Sequence, residues 1–185
     1  MHATETCYGL AADIFDEKAL NKLYKIKKMP GVKPVSMMVK SLEEAEKYAQ
    51  FDDLARKLAE KFWPGPLTLV VPRNNVLPEF FNPESGNVGI RCPDSKISRA
   101  LLDLNVRPLT TTSANVSGRP EVYDVFDYLS QLGENDLAPD LIIDGGRIAV
   151  KKPSTIVKSV GEEWEVIRDG DMKDEIVKYL VQGVN

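Results

Sequence analysis

The sequence has one histidine, two cysteines and no long apolar run. The histidine is His2, which we expect at a frayed end, so neither a Ser-His-Asp triad nor a histidine-rich metal site is expected. Cys7 and Cys92 fit no metal-binding or disulfide spacing, and we expect both to be buried in a protein of the reducing cytosol. We therefore expect this chain to supply no metal ligands.

Features of membrane and nucleic-acid-binding proteins are also missing. No stretch approaches the roughly 18 apolar residues of a membrane span, and the first residues lack the basic, apolar and small-residue succession of a signal peptide. We therefore expect a cytoplasmic protein with no membrane partner. The net charge of −4 gives no chain-wide attraction to nucleic acid, so an anion site must be a local group of lysines and arginines.

What the sequence contains is sufficient for one globular domain. Its 185 residues are 43% hydrophobic, which is enough for a sizeable core. We find no internal repeat and no linker, so we expect a single domain over residues 1–185. Predicted strands and helices alternate, but the C-terminal third has adjacent strands. This order predicts an α/β fold with a twisted, mixed β-sheet flanked by helices.

Apolar periodicity, capping residues and turn residues give the predicted elements. The predicted helices are 16–29, a short helix from 41, 53–63, 93–104, 124–132 and 172–182. The predicted strands are 4–8, 34–39, 67–71, 88–92, a strand from 109, 140–143, 154–157 and 164–168. We expect Pro30-Gly31 to end the first helix, Gly9 to break the first strand and Gly133 to cap the fifth helix.

The stretch from Leu109 to Pro120 concentrates hydroxyl and amide side chains at a predicted strand end. Its first residues favour a strand, whereas its last residues are Asn, Ser, Gly and Pro, which favour a turn. Short hydroxyls beside exposed backbone N–H groups can hold an anion or a small polar ligand. The alternative is a purely structural strand end and Asx turn, and this stretch alone leaves both open.

Other predicted strand ends also carry hydroxyl or basic side chains. These positions are Thr4, Arg91, 111–115, Ser154 and Arg168. A pocket at one edge of a twisted sheet would bring them together. Arg91, a lone charge in an apolar run, could equally face outward.

Four lysines lie around the end of the first predicted helix. They are Lys25, Lys27, Lys28 and Lys33. They form either a solvated basic end that complements the helix dipole or a phosphate-binding end. The residues alone do not decide between these two interpretations.

Seven segments, in their order and spacing, resemble one known family. They are TETCYGL (4–10), IK…P…KP (26–34), WPGPLT (63–68), VGIRCP (88–93), TSANVSG (112–118), PSTIV (153–157) and IRDG (167–170). This set resembles the YrdC-type threonylcarbamoyl-AMP synthases along nearly the whole chain.

The resemblance implies a YrdC-like domain with a concave basic pocket. It implies that L-threonine, bicarbonate and ATP give threonylcarbamoyl-AMP and pyrophosphate, with Mg²⁺ on the triphosphate. N-carboxylated threonine supplies the attacking oxygen, so no activated Ser, Cys or His is needed. In such enzymes the product feeds the t6A modification of the adenosine next to the anticodon, so tRNA or a tRNA-modifying transferase complex is a candidate partner.

The resemblance also implies roles for eight residues. Lys27 is the catalytic residue and lies against the ATP phosphates. The nucleotide-binding residues are Lys27, Ser113, Asn115 and Arg168. The threonine-binding residues are Thr4, Arg91, Thr111 and Ser154. Arg91 suits this role because a planar guanidinium can hold a carboxylate at two points.

The sequence departs from the family pattern in several places, including Ala3, Gly31 and Met38. The family usually has Lys-x-Arg where this chain has Lys27-Lys28-Met29. The helix and strand that usually precede the segment at Thr4 are missing, so we expect either a truncated start or an open edge of the sheet.

Two alternative functions remain open from the sequence. The lysines around Lys27 could belong to a module that binds tRNA or double-stranded RNA, although the negative net charge and the lack of an aromatic platform argue against it. The missing arginine could instead mark a paralogue that handles a carbamoyl adenylate.

Overall fold

An eight-stranded sheet forms the centre of the molecule in a computed structural model, which describes residues 1–29, 33–161 and 163–182. The strands are β1 (His2–Ala3), β2 (Tyr8–Leu10), β3 (Ser36–Met38), β4 (Leu67–Pro72), β5 (Asn87–Arg91), β6 (Leu109–Ser113), β7 (Thr155–Val160) and β8 (Glu163–Arg168). Their order across the sheet is β1-β2-β6-β3-β5-β4-β7-β8. β3 pairs in parallel with β5, and β4 with β7, whereas the other neighbours are antiparallel. The predicted mixed α/β fold is confirmed.

Six helices accompany the sheet in the described ranges. They are α1 (Glu17–Lys27), α2 (Leu42–Glu46), α3 (Asp53–Phe62), α4 (Lys96–Leu104), α5 (Val125–Leu129) and α6 (Lys173–Val181). Asp16 caps α1 by accepting from the backbone N–H groups of Lys18 and Ala19. Ser41 caps α2 by accepting from the N–H of Glu44 at 3.2 Å. These predicted caps satisfy N–H groups that the first helical turn leaves free.

The end of α1 is set by a left-handed residue. Lys28 has a φ of 49°, and its N–H donates back to the carbonyl of Lys25 at 3.1 Å. The segment Pro30-Gly31, predicted to end this helix, lies outside the described residues.

The strand predicted at 4–8 does not form over residues 4–7, and Tyr8 is the first residue of β2. β1 and β2 flank a tight loop, in which Thr4 Oγ1 donates to the Cys7 carbonyl at 2.6 Å and accepts from the N–H of Thr6 at 3.2 Å. Threonine hydroxyls that bond to nearby backbone compete with strand pairing, so a segment with high β propensity turns instead. Gly9, expected to break the strand, lies within β2.

The β1 edge of the sheet, which would be open under one of the two alternatives for the start of the chain, is partly covered. Residues 141–143 run beside it, and the N–H of Ile143 donates to the carbonyl of Met1 at 2.9 Å. Ile143 also forms a parallel bridge with His2. The strand predicted at 140–143 is therefore reduced to this bridge. His2 is 1% exposed, so the expectation of a frayed position was wrong.

Five helices are shorter than predicted, namely α1, α3, α4, α5 and α6. α5 ends at Leu129 with Ser130 as its C-cap. Gly133, expected to cap it, donates its N–H to Asp136 Oδ2 at 2.8 Å instead. α6 begins at Lys173, one residue after the predicted start. Within the residues that the structure describes, no helix has the length and apolarity to cross a membrane.

The core is built from apolar side chains of the sheet and the helices. Tyr8, Met37 and Leu69 are among its largest fully buried members. Cys7 and Cys92 are buried free thiols, as predicted. Burial raises the pKa of both thiols, that of Cys92 to about 11, so both are neutral at pH 7.

Candidate active site

A cavity of about 140 Å³ opens beside the strand ends that carry hydroxyl and basic side chains. Six of the eight predicted site residues line it: Thr4, Arg91, Thr111, Ser113, Ser154 and Arg168. They meet because β6, β3, β5, β4 and β7 are neighbours in the sheet, although they are distant in sequence. The volume is below the roughly 300–1,000 Å³ of pockets for drug-sized ligands, so the cavity suits an amino acid and a nucleotide would extend beyond it.

The loop between β1 and β2 forms one wall of the cavity. Thr4 Oγ1 lies 3.1 Å from Thr6 Oγ1, so two hydroxyls stand side by side there. Gly9 lines the same wall. A Cβ at Gly9 would lie 3.3 Å from the carbonyl oxygen of Thr112, so its missing side chain keeps this wall clear.

Arg91, the last residue of β5, is 6% exposed. Its Nη2 donates to Glu5 Oε1 at 2.6 Å and to Thr6 Oγ1 at 3.2 Å. Its Nε is buried without a partner. Nη1 has no hydrogen-bond partner among the described residues, so this nitrogen could contact a ligand. The two-point grip of Arg91 on a carboxylate stays a prediction.

Arg168, at the end of β8, is bonded to Ser154. Its Nη2 donates to the Ser154 carbonyl at 2.8 Å and to Ser154 Oγ at 2.9 Å. Ser154 Oγ also lies 2.8 Å from Thr68 Oγ1. Partial burial, and secondarily Arg91, lowers the pKa of Arg168, but a guanidinium stays charged at any physiological pH.

Lys27 and Asn115 are not among the residues that line the cavity, but both contact Ser113, which is. Lys27 Nζ donates to the carbonyl oxygens of Ser113 and Asn115, the latter at 3.0 Å. Ser113 Oγ donates to Asn115 Oδ1. Lys27 is 5% exposed, and burial lowers its pKa to about 8, so it is mostly protonated at pH 7. Through these two hydrogen bonds Lys27 holds the loop after β6 in place.

The other lysines near the end of α1 contribute no charge to the cavity lining. Lys28 forms an ion pair with Asp136 at 2.7 Å. Lys25 and Lys33 are exposed. Met29, where the family usually has arginine, packs against the core. The charged residues of the lining are therefore Arg91 and Arg168.

Several residues near the cavity were not predicted as site residues. Thr6, Ser36 and Thr68 line it, and Glu5 pairs with Arg91. A signal for Thr68 and Ser36 exists in the sequence, because each is a polar residue in a strand that is otherwise apolar, and a buried hydroxyl needs a partner. The sequence holds no such signal for Glu5.

Comparison with known proteins gives a matching family model and similar sequences. The model of the family described as "Telomere recombination" (Sua5, YciO and YrdC) matches residues 2–170. A putative threonylcarbamoyl-AMP synthase of Methanocaldococcus jannaschii is 40% identical over 169 residues, which cover 90% of this chain and 77% of the relative. The threonylcarbamoyl-AMP synthase of Pyrococcus abyssi is 33% identical over 187 residues, which cover 96% of this chain and 52% of the relative.

Solved structures give the same relationship. Pyrococcus abyssi Sua5 complexed with L-threonine matches with a TM-score of 0.84 at 30% identity, covering 95% of this chain and 52% of that chain. Escherichia coli YciO matches with a TM-score of 0.80 at 26% identity, covering 93% and 84%. This chain thus spans about half the length of the Pyrococcus protein. The resemblance in the sequence is confirmed, and the chain belongs to the Sua5/YciO/YrdC family.

Proposed function

We propose that this chain is a threonylcarbamoyl-AMP synthase, which converts L-threonine, bicarbonate and ATP to threonylcarbamoyl-AMP and pyrophosphate. The observation that carries the proposal is one cavity, of amino-acid size, in which two guanidinium groups meet several hydroxyls. Relatives named for this activity, which match 90% or more of the chain, support it.

The reaction depends on positioning rather than on a protein nucleophile. The threonine ammonium first loses a proton. The neutral amino group then attacks the carbon of bicarbonate, and loss of water leaves a carbamate. A carbamate oxygen then attacks the α-phosphorus of ATP, the bond to the bridging oxygen of the β-phosphate breaks, and pyrophosphate leaves. The substrate brings its own nucleophile, so the protein contributes orientation and positive charge.

In this proposal the walls of the cavity recognise threonine. Arg91 Nη1 holds the carboxylate, and the hydroxyls of Thr4, Thr111 and Ser154 bond to the amino and hydroxyl groups. A different amino acid would leave buried polar groups unpaired, at roughly 1–3 kcal/mol for each group. This cost gives the site its specificity.

The nucleotide lies on the side of Arg168 and the loop after β6. Arg168 sits beside Ser154, where the two substrates meet, and its charge faces the phosphates. Ser113 and Asn115 hold the nucleotide. Lys27 acts as the catalytic residue: bound phosphates draw Nζ away from the two carbonyls that it now contacts, and its charge stabilises the transition state.

Magnesium is expected with the triphosphate. The structure describes no group of three or more His, Cys, Asp and Glu side chains that could hold a metal ion. The phosphates and water would then be the main ligands of Mg²⁺.

The product is an activated acyl adenylate, so a transferase has to consume it. We place this activity in the cytoplasm, upstream of the t6A modification of tRNA. Direct binding of tRNA by this chain remains a prediction, and of the four lysines that motivate it Lys27 is buried and Lys28 is paired.

The test is pyrophosphate release by the purified, folded chain with each substrate omitted in turn. We expect release only when L-threonine, bicarbonate and ATP are all present. Release with carbamoyl phosphate in place of threonine and bicarbonate would favour the carbamoyl-adenylate paralogue. Steeply salt-dependent tRNA binding that ATP does not displace would favour the RNA-binding module. A folded chain that is inactive with all three substrates would refute the synthase.

A further inference from the structure

Glu5 lies between two cavities and bonds to residues on both sides. Its Oε1 is 2.6 Å from Arg91 Nη2 and accepts from the backbone N–H of Asp94 at 3.0 Å. The side chain of Arg91 is buried, at 7% exposed, and that of Glu5 is partly buried, at 15% exposed. Arg91 lines the candidate threonine cavity, whereas Glu5 lines a separate cavity of about 260 Å³ beside Trp63 and Lys151. The ion pair therefore forms part of the partition between them.

We propose that Glu5 is a positioning residue, which fixes Arg91 in the orientation that receives the carboxylate of threonine. The proposal builds on the function proposed above for the cavity. Glu5 itself does not line that cavity, so its effect on the substrate passes through Arg91.

The hydrogen bonds of Arg91 make Glu5 its main anchor. A buried guanidinium needs acceptors, and Arg91 has two in the described chain, Glu5 Oε1 and Thr6 Oγ1. The hydroxyl of Thr6 is the longer and uncharged contact, at 3.2 Å against 2.6 Å. Without the carboxylate, the flexible arginine side chain would be held by one neutral hydrogen bond.

Arg91 is also connected to the hydroxyls of the threonine-binding wall. Thr6 Oγ1 accepts from Arg91 and lies 3.1 Å from Thr4 Oγ1. Thr4 Oγ1 in turn donates to the carbonyl of Cys7. Release of Arg91 would therefore loosen Thr6 and Thr4 as well as the carboxylate site.

The negative charge of Glu5 has an opposing effect on threonine binding, because it repels the carboxylate of the substrate. Glu5 occupies Nη2, whereas the substrate would use Nη1, so the two anions contact different nitrogens of one guanidinium. A guanidinium has several N–H donors in fixed directions, so it can bind two carboxylates at once. We therefore expect the loss of orientation to outweigh the loss of repulsion.

Two substitutions separate these effects. Glu5→Ala removes the acceptor and the charge, whereas Glu5→Gln keeps an acceptor oxygen and removes the charge. We expect Glu5→Ala to raise the KM for threonine roughly tenfold or more, the range for a hydrogen bond to a charged group. The KM for ATP should stay near its wild-type value, and Glu5→Gln should recover most of the loss.

The matched control is Glu46→Ala. Glu46 Oε1 accepts from Arg56 Nε at 2.7 Å, a similar ion pair on the exposed surface. Its loss should change neither KM. Thermal denaturation of each variant shows whether the fold is retained.

An unchanged or lowered KM for threonine in Glu5→Ala would overturn the proposal, because Glu5 would then be only a counterion. Equal increases in the KM for threonine and for ATP would also overturn it, as a general structural effect. If wild-type chain releases no pyrophosphate, the proposed function fails, and calorimetric titration with L-threonine tests Glu5 instead. Weaker threonine binding by Glu5→Ala than by wild type would support it, whereas equal binding by the two proteins, or no binding by wild type, would overturn it.

Discussion

Arg168 donates to Ser154 from two nitrogens: Nη2 bonds to the carbonyl and the hydroxyl oxygen at 2.8 and 2.9 Å, and Nε bonds to the same carbonyl at 3.1 Å. This contact joins the end of β8 to the segment that precedes β7. It places a cation of the proposed nucleotide side against a hydroxyl of the proposed threonine side. The two substrates would therefore meet at this pair of residues.

Replacement of Arg168 should affect ATP use most. We expect Arg168→Ala to lower kcat/KM for ATP by roughly 10- to 100-fold, the range for a lost charged hydrogen bond. Arg168→Lys should recover only part of this loss, because an ammonium lacks the planar fork. Steady-state pyrophosphate release measures both variants. Arg147→Ala, which removes an exposed ion pair with Asp124, is the control. Wild-type kinetics in Arg168→Ala would remove this residue from the site.

The charge of Lys27 should make ATP binding sensitive to alkaline pH. Burial lowers the pKa of this lysine to about 8, well below its ordinary value of 10.5. As the pH rises through about 8, Lys27 loses its proton and with it the attraction to phosphate, so the KM for ATP should rise. Lys27→Met carries no charge at any pH, so its KM for ATP should be higher and should lack this step. The same alkaline step in Lys27→Met would show that another group causes it.

Gly170 should be required for the position of Ser154. A Cβ at Gly170 would overlap backbone atoms of Pro153, Ser154 and Thr155, which cannot move as a flexible side chain can. We expect Gly170→Ala to destabilise the fold by roughly 1–3 kcal/mol and to weaken threonine use. Urea denaturation and the KM for threonine measure these effects. Gly86→Ala is the control, because no heavy atom lies within 4 Å of its Cβ. Equal stability of the two variants would contradict the close approach.

His2 should make the fold sensitive to mild acid. Burial lowers its pKa from 6.5 to about 4. Between these two pH values the imidazole is protonated in the unfolded chain and neutral in the folded chain. The free energy of unfolding should therefore fall between pH 6.5 and pH 4, by about 2 kcal/mol from pH 7 to about pH 5. His2→Gln should lose this component, as urea denaturation at the two pH values would show. An identical acid response in both proteins would contradict the burial of a neutral imidazole.

The common cavity could be predicted because its residues sit at strand ends. Hydroxyls and arginines at the ends of predicted strands, such as Thr111, Ser154 and Arg168, have few positions available once the strands pair in one sheet. The same logic predicted the mixed sheet itself. Both predictions, of the cavity and of the sheet, depend on local patterns of residue type that can be read from the sequence.

Contacts between distant side chains could not be predicted in this way. The loop at Thr4 forms because hydroxyl–backbone bonds replace strand pairing, which propensity alone does not reveal. The ion pair of Glu5 with Arg91 exists only once β5 lies near the loop after β1. The contact of Lys27 with the Asn115 carbonyl likewise depends on how α1 packs against the loop after β6.

The most direct test of the central claim is the fate of labelled bicarbonate. The chain is incubated with ATP, L-threonine and ¹³C-bicarbonate, and the products are analysed by mass spectrometry. We predict an adenylate that contains threonine and the labelled carbon, formed together with pyrophosphate and absent when threonine is omitted. Formation of no labelled adenylate by a folded chain that binds ATP would contradict the proposal.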